Sequence, residues 1–355
     1  MSILVALVLA LLAPRVSALE LAREEIPASE AADIVALAAF VTNSLMESVA
    51  VETAGYRRAF HSKAHACLRA SFTVNHRLPA ALKVGVFAQP KRYDAWLRLS
   101  NGLPGLKSDR ALDTRGFALK LLGVEGPKLL AGHEDEKTQD FLLSSGRVFF
   151  LRNVRGFLEV GVPLFTSGRV PAGFDYERQL IDATTSVESH LLRIAYSSQT
   201  PYLLGPGQAV KYRVLPCPRN PASAAGSGSD NFLATRLGKA LSASSACFRF
   251  QVQRQTDPAS MPIEDPTIEW SPVKSPFIDV AAIDIPLQQF EKPEQYDSCE
   301  NLSFNPWHSL PEHRPLGGIN RARKVIYDAG SAHRHLRRGV PEQEPLPDAP
   351  LRPDR

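Results

Sequence analysis

Cysteine is scarce, with four in 355 residues. Cys67, Cys217, Cys247 and Cys299 stand far apart with no Cys-x-x-Cys pair, which argues against a thiolate metal site and a disulfide-built scaffold. In an exported chain these thiols would form one or two disulfides with the pairing open; buried free thiols fit the same spacing. Neither sign of charge dominates: 41 Lys and Arg against 37 Asp and Glu give a formal net charge of +4. That excess is too small and too dispersed for a nucleic-acid surface. Internal repeats are missing, and so are long apolar runs after the first residues. Ile3 to Ala13 is unbroken apolar and Val16-Ser-Ala18 follows, but no Lys or Arg precedes the run. Residues 1–18 read as a cleaved export signal, with an uncleaved anchor or a misassigned start as alternatives. The run is short for a membrane span, and no later stretch reads as one. The expected location is exported, periplasmic or secreted, if the signal is real, and cytoplasmic otherwise.

What is present divides the chain into a helical N-terminal part, residues 19–60, and a strand-rich part, residues 61–299. An arm at 300–338 and a Pro- and acid-rich tail at 339–355, expected to be disordered, complete it. Ala31, Ile34, Leu37, Ala38, Val41 and Leu45 fall on one helical stripe. Short alternating or β-branched segments follow at 70–74, 95–100, 116–122, 211–215 and 248–253. They predict a half-buried antiparallel barrel or sandwich with inserted helices. Arg219 to Ser229 is small and polar and reads as a loop.

Three constellations carry chemistry. Arg58-Ala-Phe-His61-Ser-Lys-Ala-His65 lies where helix gives way to strand, where a histidine can face a cavity and move a proton. If the helix ran on, His61 and His65 would share a face and form half a metal site. Arg98, in the apolar strand Trp96-Leu-Arg-Leu-Ser100, requires an anion, because an unpaired buried charge costs several kcal/mol. Asp113 and Arg115 suit an ion pair in a turn. Near the C-terminus Arg323 precedes Tyr327 by one helical turn, so guanidinium and phenol share a face. A tyrosine serves as an anionic ligand only beside a permanent cation, a metal, or both.

Taken in order, Arg58-x-x-His61-Ser-Lys, Arg98-Leu-Ser100, Asp113-Thr-Arg-Gly-Phe-Ala-Leu-Lys120, Val148-Phe-Phe-Leu-Arg152, Phe304-Asn-Pro-Trp307 and Arg323-x-x-x-Tyr327 resemble the haem catalase superfamily. The run Asn305 to Arg323 is closest to the small catalase-related proteins, and the likeness spans residues 57 to 338. It implies an α+β fold: mainly an antiparallel β-barrel, with an N-terminal helix and a C-terminal helical arm carrying the proximal ligand. It further implies haem b with Tyr327 as iron ligand, Arg323 holding it as phenolate, and Arg58, Arg98 and Arg334 meeting the propionates. Phe150 would lie near the haem face. His61 would be the distal acid–base group, with Ser100 fixing its tautomer. The implied partners are hydrogen peroxide or an organic or lipid hydroperoxide, an electron donor, and a second copy of the chain.

Two positions depart from the pattern. Ser145 stands where the family usually has an asparagine that helps orient peroxide, and Asp328 replaces the proline that usually follows the tyrosine. A peroxide-metabolising oxidoreductase of catalase or peroxidase type is the leading expectation. The alternatives are a lipid hydroperoxide-rearranging haem enzyme, a non-catalytic haem-binding protein on the same barrel, and a non-haem metal site at His61 and His65.

Overall fold

Alternation along the strands decides which residues face inward. In β2 (Arg92–Asn101), Ala95, Leu97 and Leu99 enter the main core, while Trp96, Arg98 and Ser100 take the other face. The same period holds in β3 (Arg115–Leu122), where Phe117, Leu119 and Leu121 turn inward, and in β4 (Thr138–Ser144), where Phe141 and Leu143 do. The computed structural model describes residues 20–221 and 228–345. Among these, β1 (Ala64–Val74), β2, β3 and β4 run as an antiparallel meander. The other strands are β5 (Tyr196–Ser197), β6 (Tyr202–Leu203), β7 (Ala209–Pro216), β8 (Ala246–Arg254) and β9 (Ile278–Ile285).

All nine strands belong to one sheet in the order β5-β4-β3-β2-β1-β9-β8-β7-β6. Because β5 pairs with β4 on one side and β7 on the other, eight strands close into a barrel, with β6 beside β7. Closure removes the free edges an open sheet would expose. Phe72, Phe87, Phe141, Tyr212 and Phe250 fill the interior through edge and stacked ring contacts.

Helices pack outside the barrel. The N-terminal helix Glu30–Thr53 buries Ile34, Leu37, Val41 and Leu45 against Ala322 and Ile326 of the C-terminal helix Gly318–Arg338. It ends at Thr53, short of the expected limit near residue 60. By length and composition, with mean hydropathy 1.8 over its apolar window, it could also cross a membrane. That corrects the expectation that no stretch beyond the first residues could do so. Its central Val41–Leu45 turn is π-helical, as is Phe157–Gly161 within the helical segment 154–167.

Residues 339–345, expected to be disordered, are held in place: Glu342 accepts from the Ser331 hydroxyl, and the Glu344 carboxylate meets Lys120. The proposed signal, residues 1–18, and residues 346–355 lie outside the described residues. The cysteines form two disulfides, Cys67–Cys299 and Cys217–Cys247, so the free-thiol alternative does not hold.

Candidate active site

Register builds one wall of the site on the outer face of the barrel. Ser100 on β2 lies opposite Gly116 on β3, which lies opposite Ser144 on β4; one step along, Arg98, Ala118 and Leu142 form the next row. All six line a cavity of about 270 Å³ between this wall and the outer helices. Leu37, Val41 and Met46 of the N-terminal helix, and Phe157 and Phe165 of 154–167, supply an apolar side. Both π-helical turns therefore contribute to the cavity, through Val41 and Phe157.

His61 enters from the segment between the N-terminal helix and β1. Its backbone is left-handed, with φ of 56°, a conformation that must be held by its surroundings in a non-glycine residue. Its N–H donates to Gly102 O at 3.0 Å, and its carbonyl accepts from Arg98 Nη2 at 2.8 Å. The imidazole Nδ1 is 3.1 Å from Ser100 Oγ. Burial, then the charges of Arg98 and Arg323, lower its pKa to about 3, so the ring is neutral at ordinary pH.

Beside it, Asp113 accepts from the Gly102 and Leu103 N–H groups and pairs with Arg115 at 3.3 Å; burial raises its pKa to about 6. His65 does not share a helix face with His61. It lies on β1, fully buried, with Nε2 2.7 Å from Asn101 Oδ1. Among the described residues no group of three or more His, Cys, Asp or Glu is placed to hold a metal, which removes the support for the non-haem alternative.

A cluster of cations forms another part of the wall. Arg58 Nη1 and Arg98 Nη2 each lie 3.1 Å from an oxygen of Glu300, and Arg334 adds a third buried guanidinium. Burial alone would raise the Glu300 carboxyl, but Arg58 and Arg98 override it and hold the pKa at about 2. Burial, opposed only in part by Glu300 and Glu342, brings the Arg334 pKa down to about 10. Glu300 serves Arg58 and Arg98 at once, and Arg334 is faced by Glu300 and Glu342, so the three guanidiniums outnumber the carboxylates around them. Among the described residues Arg98 Nε and Arg334 Nε have no hydrogen-bond partner. Arg98 thus meets the anion its apolar strand requires, and still has capacity for another.

Tyr327 also lines the cavity, half-buried on the C-terminal helix, with Arg323 one turn before it and Arg334 two turns beyond. Arg323 Nη1 donates to Thr200 Oγ1 at 3.1 Å and Asn320 Oδ1 at 3.2 Å, and its guanidinium lies over the Phe149 ring. The preceding run is folded around Asn320, whose carbonyl accepts from Trp307 Nε1 at 2.7 Å and whose amide donates to Pro201 O and Leu316 O. Gly317 is required there: at its φ of 84°, a Cβ would come 2.5 Å from Ile263 O.

Of the residues singled out from sequence, the cavity brings together Arg58, His61, Arg98, Ser100, Phe150, Arg323, Tyr327 and Arg334. Ser145 is not among its lining residues. Its hydroxyl accepts from Arg115 N at 2.9 Å just past the end of β4, and Ser144, the last paired residue, faces the cavity instead. Sequence reasoning missed Glu300 and Gly116. A polar helix conceals the first, and the second acts only by having no side chain.

A closed antiparallel barrel with an external cavity walled by a tyrosine-bearing C-terminal helix defines the structural class. No family model and no curated protein matches the chain in sequence. Solved structures match it in fold. A fungal catalase superposes with a TM-score of 0.62 at 16% identity, covering 82% of this chain and 62% of its own. Catalase A from Saccharomyces cerevisiae gives 0.61 at 16%, covering 78% and 61%, and a bacterial catalase gives 0.57 at 14%, covering 82% and 60%. The chain therefore has the catalase-like fold, and the matched part spans about three fifths of the length of these catalases.

Proposed function

We propose that the chain is a haem-dependent oxidoreductase acting on peroxides. The observation that carries this reading is the convergence of Tyr327, His61 and an arginine cluster with more guanidiniums than carboxylates on one largely apolar cavity. These residues fit haem b, a flat apolar ring with two carboxylates and an iron that accepts an anionic oxygen ligand. Tyr327 would hold the iron through its phenol oxygen, with Arg323 as the nearby cation. Arg58, Arg98 and Arg334 would hold the propionates, and Phe149 and Phe150 would keep water away.

When bound, the haem supplies the redox centre at which a peroxide O–O bond is cleaved. The chain's part is proton management. Neutral His61, oriented by Ser100, takes the proton from one peroxide oxygen and returns it to the departing one. Ser144, and not Ser145, faces the cavity at this end of β4, so the strand offers the pocket a hydroxyl there and no amide donor. This favours organic or lipid hydroperoxides alongside hydrogen peroxide as substrates. The two disulfides support an exported location.

The test is an absorption spectrum with a pyridine haemochrome assay on the purified chain, followed by peroxide consumption with and without an organic donor. Haem uptake, a shifted Soret band in Tyr327→Phe, and turnover lost in His61→Ala are expected. A Tyr327→Phe spectrum identical to wild type would remove the ligand assignment.

A further inference from the structure

Arg58, Arg98 and Glu300 come from distant parts of the chain and meet through ion pairs, and a covalent bond lies beside those pairs. Helix Pro293–Asn301 carries Glu300, and its sequence, Pro-Glu-Gln-Tyr-Asp-Ser-Cys-Glu-Asn, offers almost no apolar side chains for docking. It is fixed to β1 by the Cys67–Cys299 disulfide, whose ends are 232 residues apart in sequence. Both sulfurs are buried, with Trp96, Leu122 and Leu302 packed around them.

The bond sits within the cation cluster. Cys67 is the cross-strand neighbour of Arg98, and Cys299 immediately precedes Glu300. Arg58 Nη2 donates to the carbonyls of Cys299 and Leu302. Side-chain bonds also tie this helix to β1, among them Gln295 Nε2 to Cys67 O at 2.6 Å and Tyr296 Oη to His65 O at 2.9 Å.

We infer that the Cys67–Cys299 disulfide is a positioning device for the anion-binding arginines. By holding Glu300 and the Arg58 carbonyl acceptors against β1, it sets the guanidiniums for a ligand with two carboxylates. This rests on the haem reading above and adds a condition to it. The cradle is complete only once two thiols have lost two electrons and two protons to a disulfide-bearing oxidant, which becomes a dithiol. Assembly of the site is thereby tied to an oxidising compartment.

The experiment titrates the full-length chain with ferric protoporphyrin IX and, separately, with its dimethyl ester, following the Soret band. Three proteins are compared: wild type, Cys67→Ser with Cys299→Ser, and the control Cys217→Ser with Cys247→Ser. Circular dichroism monitors folding. Wild type and control are expected to prefer the diacid by about ten-fold or more, as charge-assisted hydrogen bonds would give, and the Cys67/Cys299 variant is expected to lose that preference. If the serine pair does not fold, Cys67→Ala with Cys299→Val, which keeps the volume apolar, takes its place. A folded variant with the wild-type preference overturns the inference alone, as does an equal loss in the control. A wild-type chain that binds neither porphyrin overturns the haem reading with it.

Discussion

The imidazole of His61 lies directly over Gly116, close enough that a Cβ built there would stand 2.5 Å from Nδ1 and 2.6 Å from the Ser100 hydroxyl. The pairing of His61 with Ser100 therefore depends on a missing methyl group on the neighbouring strand. Gly116→Ala should push the imidazole off Ser100 while leaving the arginines and Tyr327 in place. Peroxide turnover should fall about a hundred-fold, the scale on which positioned acid–base groups act, with haem uptake close to wild type. Initial rates and Soret titration measure the two separately, and unchanged turnover would show that the His61–Ser100 contact is dispensable.

The protonation of His61 gives a second prediction. Its pKa is lowered from 6.5 to about 3, chiefly by burial and then by Arg98 and Arg323. The neutral form that the proposed proton-accepting role requires is thus present throughout the pH range in which an ordinary histidine titrates. The rate should show no His-like fall between pH 7 and 5. The stability sign follows from the same shift: below pH 6.5 the unfolded chain gains a proton that the native chain refuses, so this group favours unfolding increasingly as pH drops toward 3. Rate profiles for wild type, with denaturant titrations of wild type and His61→Gln across that range, check both parts.

Much of this arrangement is legible in the sequence, and the exceptions have physical causes. The strands β1, β2, β3, β7 and β8 are readable because one face is barrel core and a two-residue period records it. In the outer row Ser100–Gly116–Ser144 the same period carries the site. The Arg323–Tyr327 spacing is a true helical turn. Helix 293–301 hides its role because Cys299 and Glu300 are buried by a cross-link rather than by an apolar stripe. Ser145 illustrates the cost of counting without register: one residue separates a side chain facing the cavity from one facing a backbone amide.

Glu300 supplies a third prediction, independent of any cofactor. Its pKa is depressed from 4.5 to about 2 because Arg58 and Arg98 outweigh the opposing effect of burial. The native chain keeps the carboxylate ionised where the unfolded chain has protonated it. Its stabilising contribution is therefore complete above pH 4.5 and lost as pH falls toward 2. Glu300→Ala leaves two buried guanidiniums without their shared partner, at a cost of about 3–5 kcal/mol. Urea titrations at neutral pH give that figure, and the variant's stability should vary less than wild type's between pH 4.5 and 2.

Lys120 marks the next outward-facing row of the barrel, opposite Trp96 on one side and Asp140 on the other. It is fully buried, with Nζ 2.8 Å from Asp140 Oδ1 and 2.6 Å from Glu344 Oε2. Glu344 also accepts from the Thr138 hydroxyl at 2.7 Å, and Asp140 from Asn305 N at 2.9 Å. Burial opposes the charge on Lys120, but Asp140 and Glu344 together outweigh it and raise the pKa. A residue of the C-terminal tail thus completes an ion pair inside the fold, and the same tail brings Glu342 to Ser331, which lines the cavity. Glu344→Gln keeps the shape but removes one of the two charges facing Lys120. A loss of about 1–3 kcal/mol follows, the usual cost of leaving a buried polar group underpaired. Limited proteolysis should also cut the tail faster, because the contact that pins it has weakened. If stability and cleavage rate both match wild type, Asp140 alone suffices for Lys120 and the tail is held by other contacts.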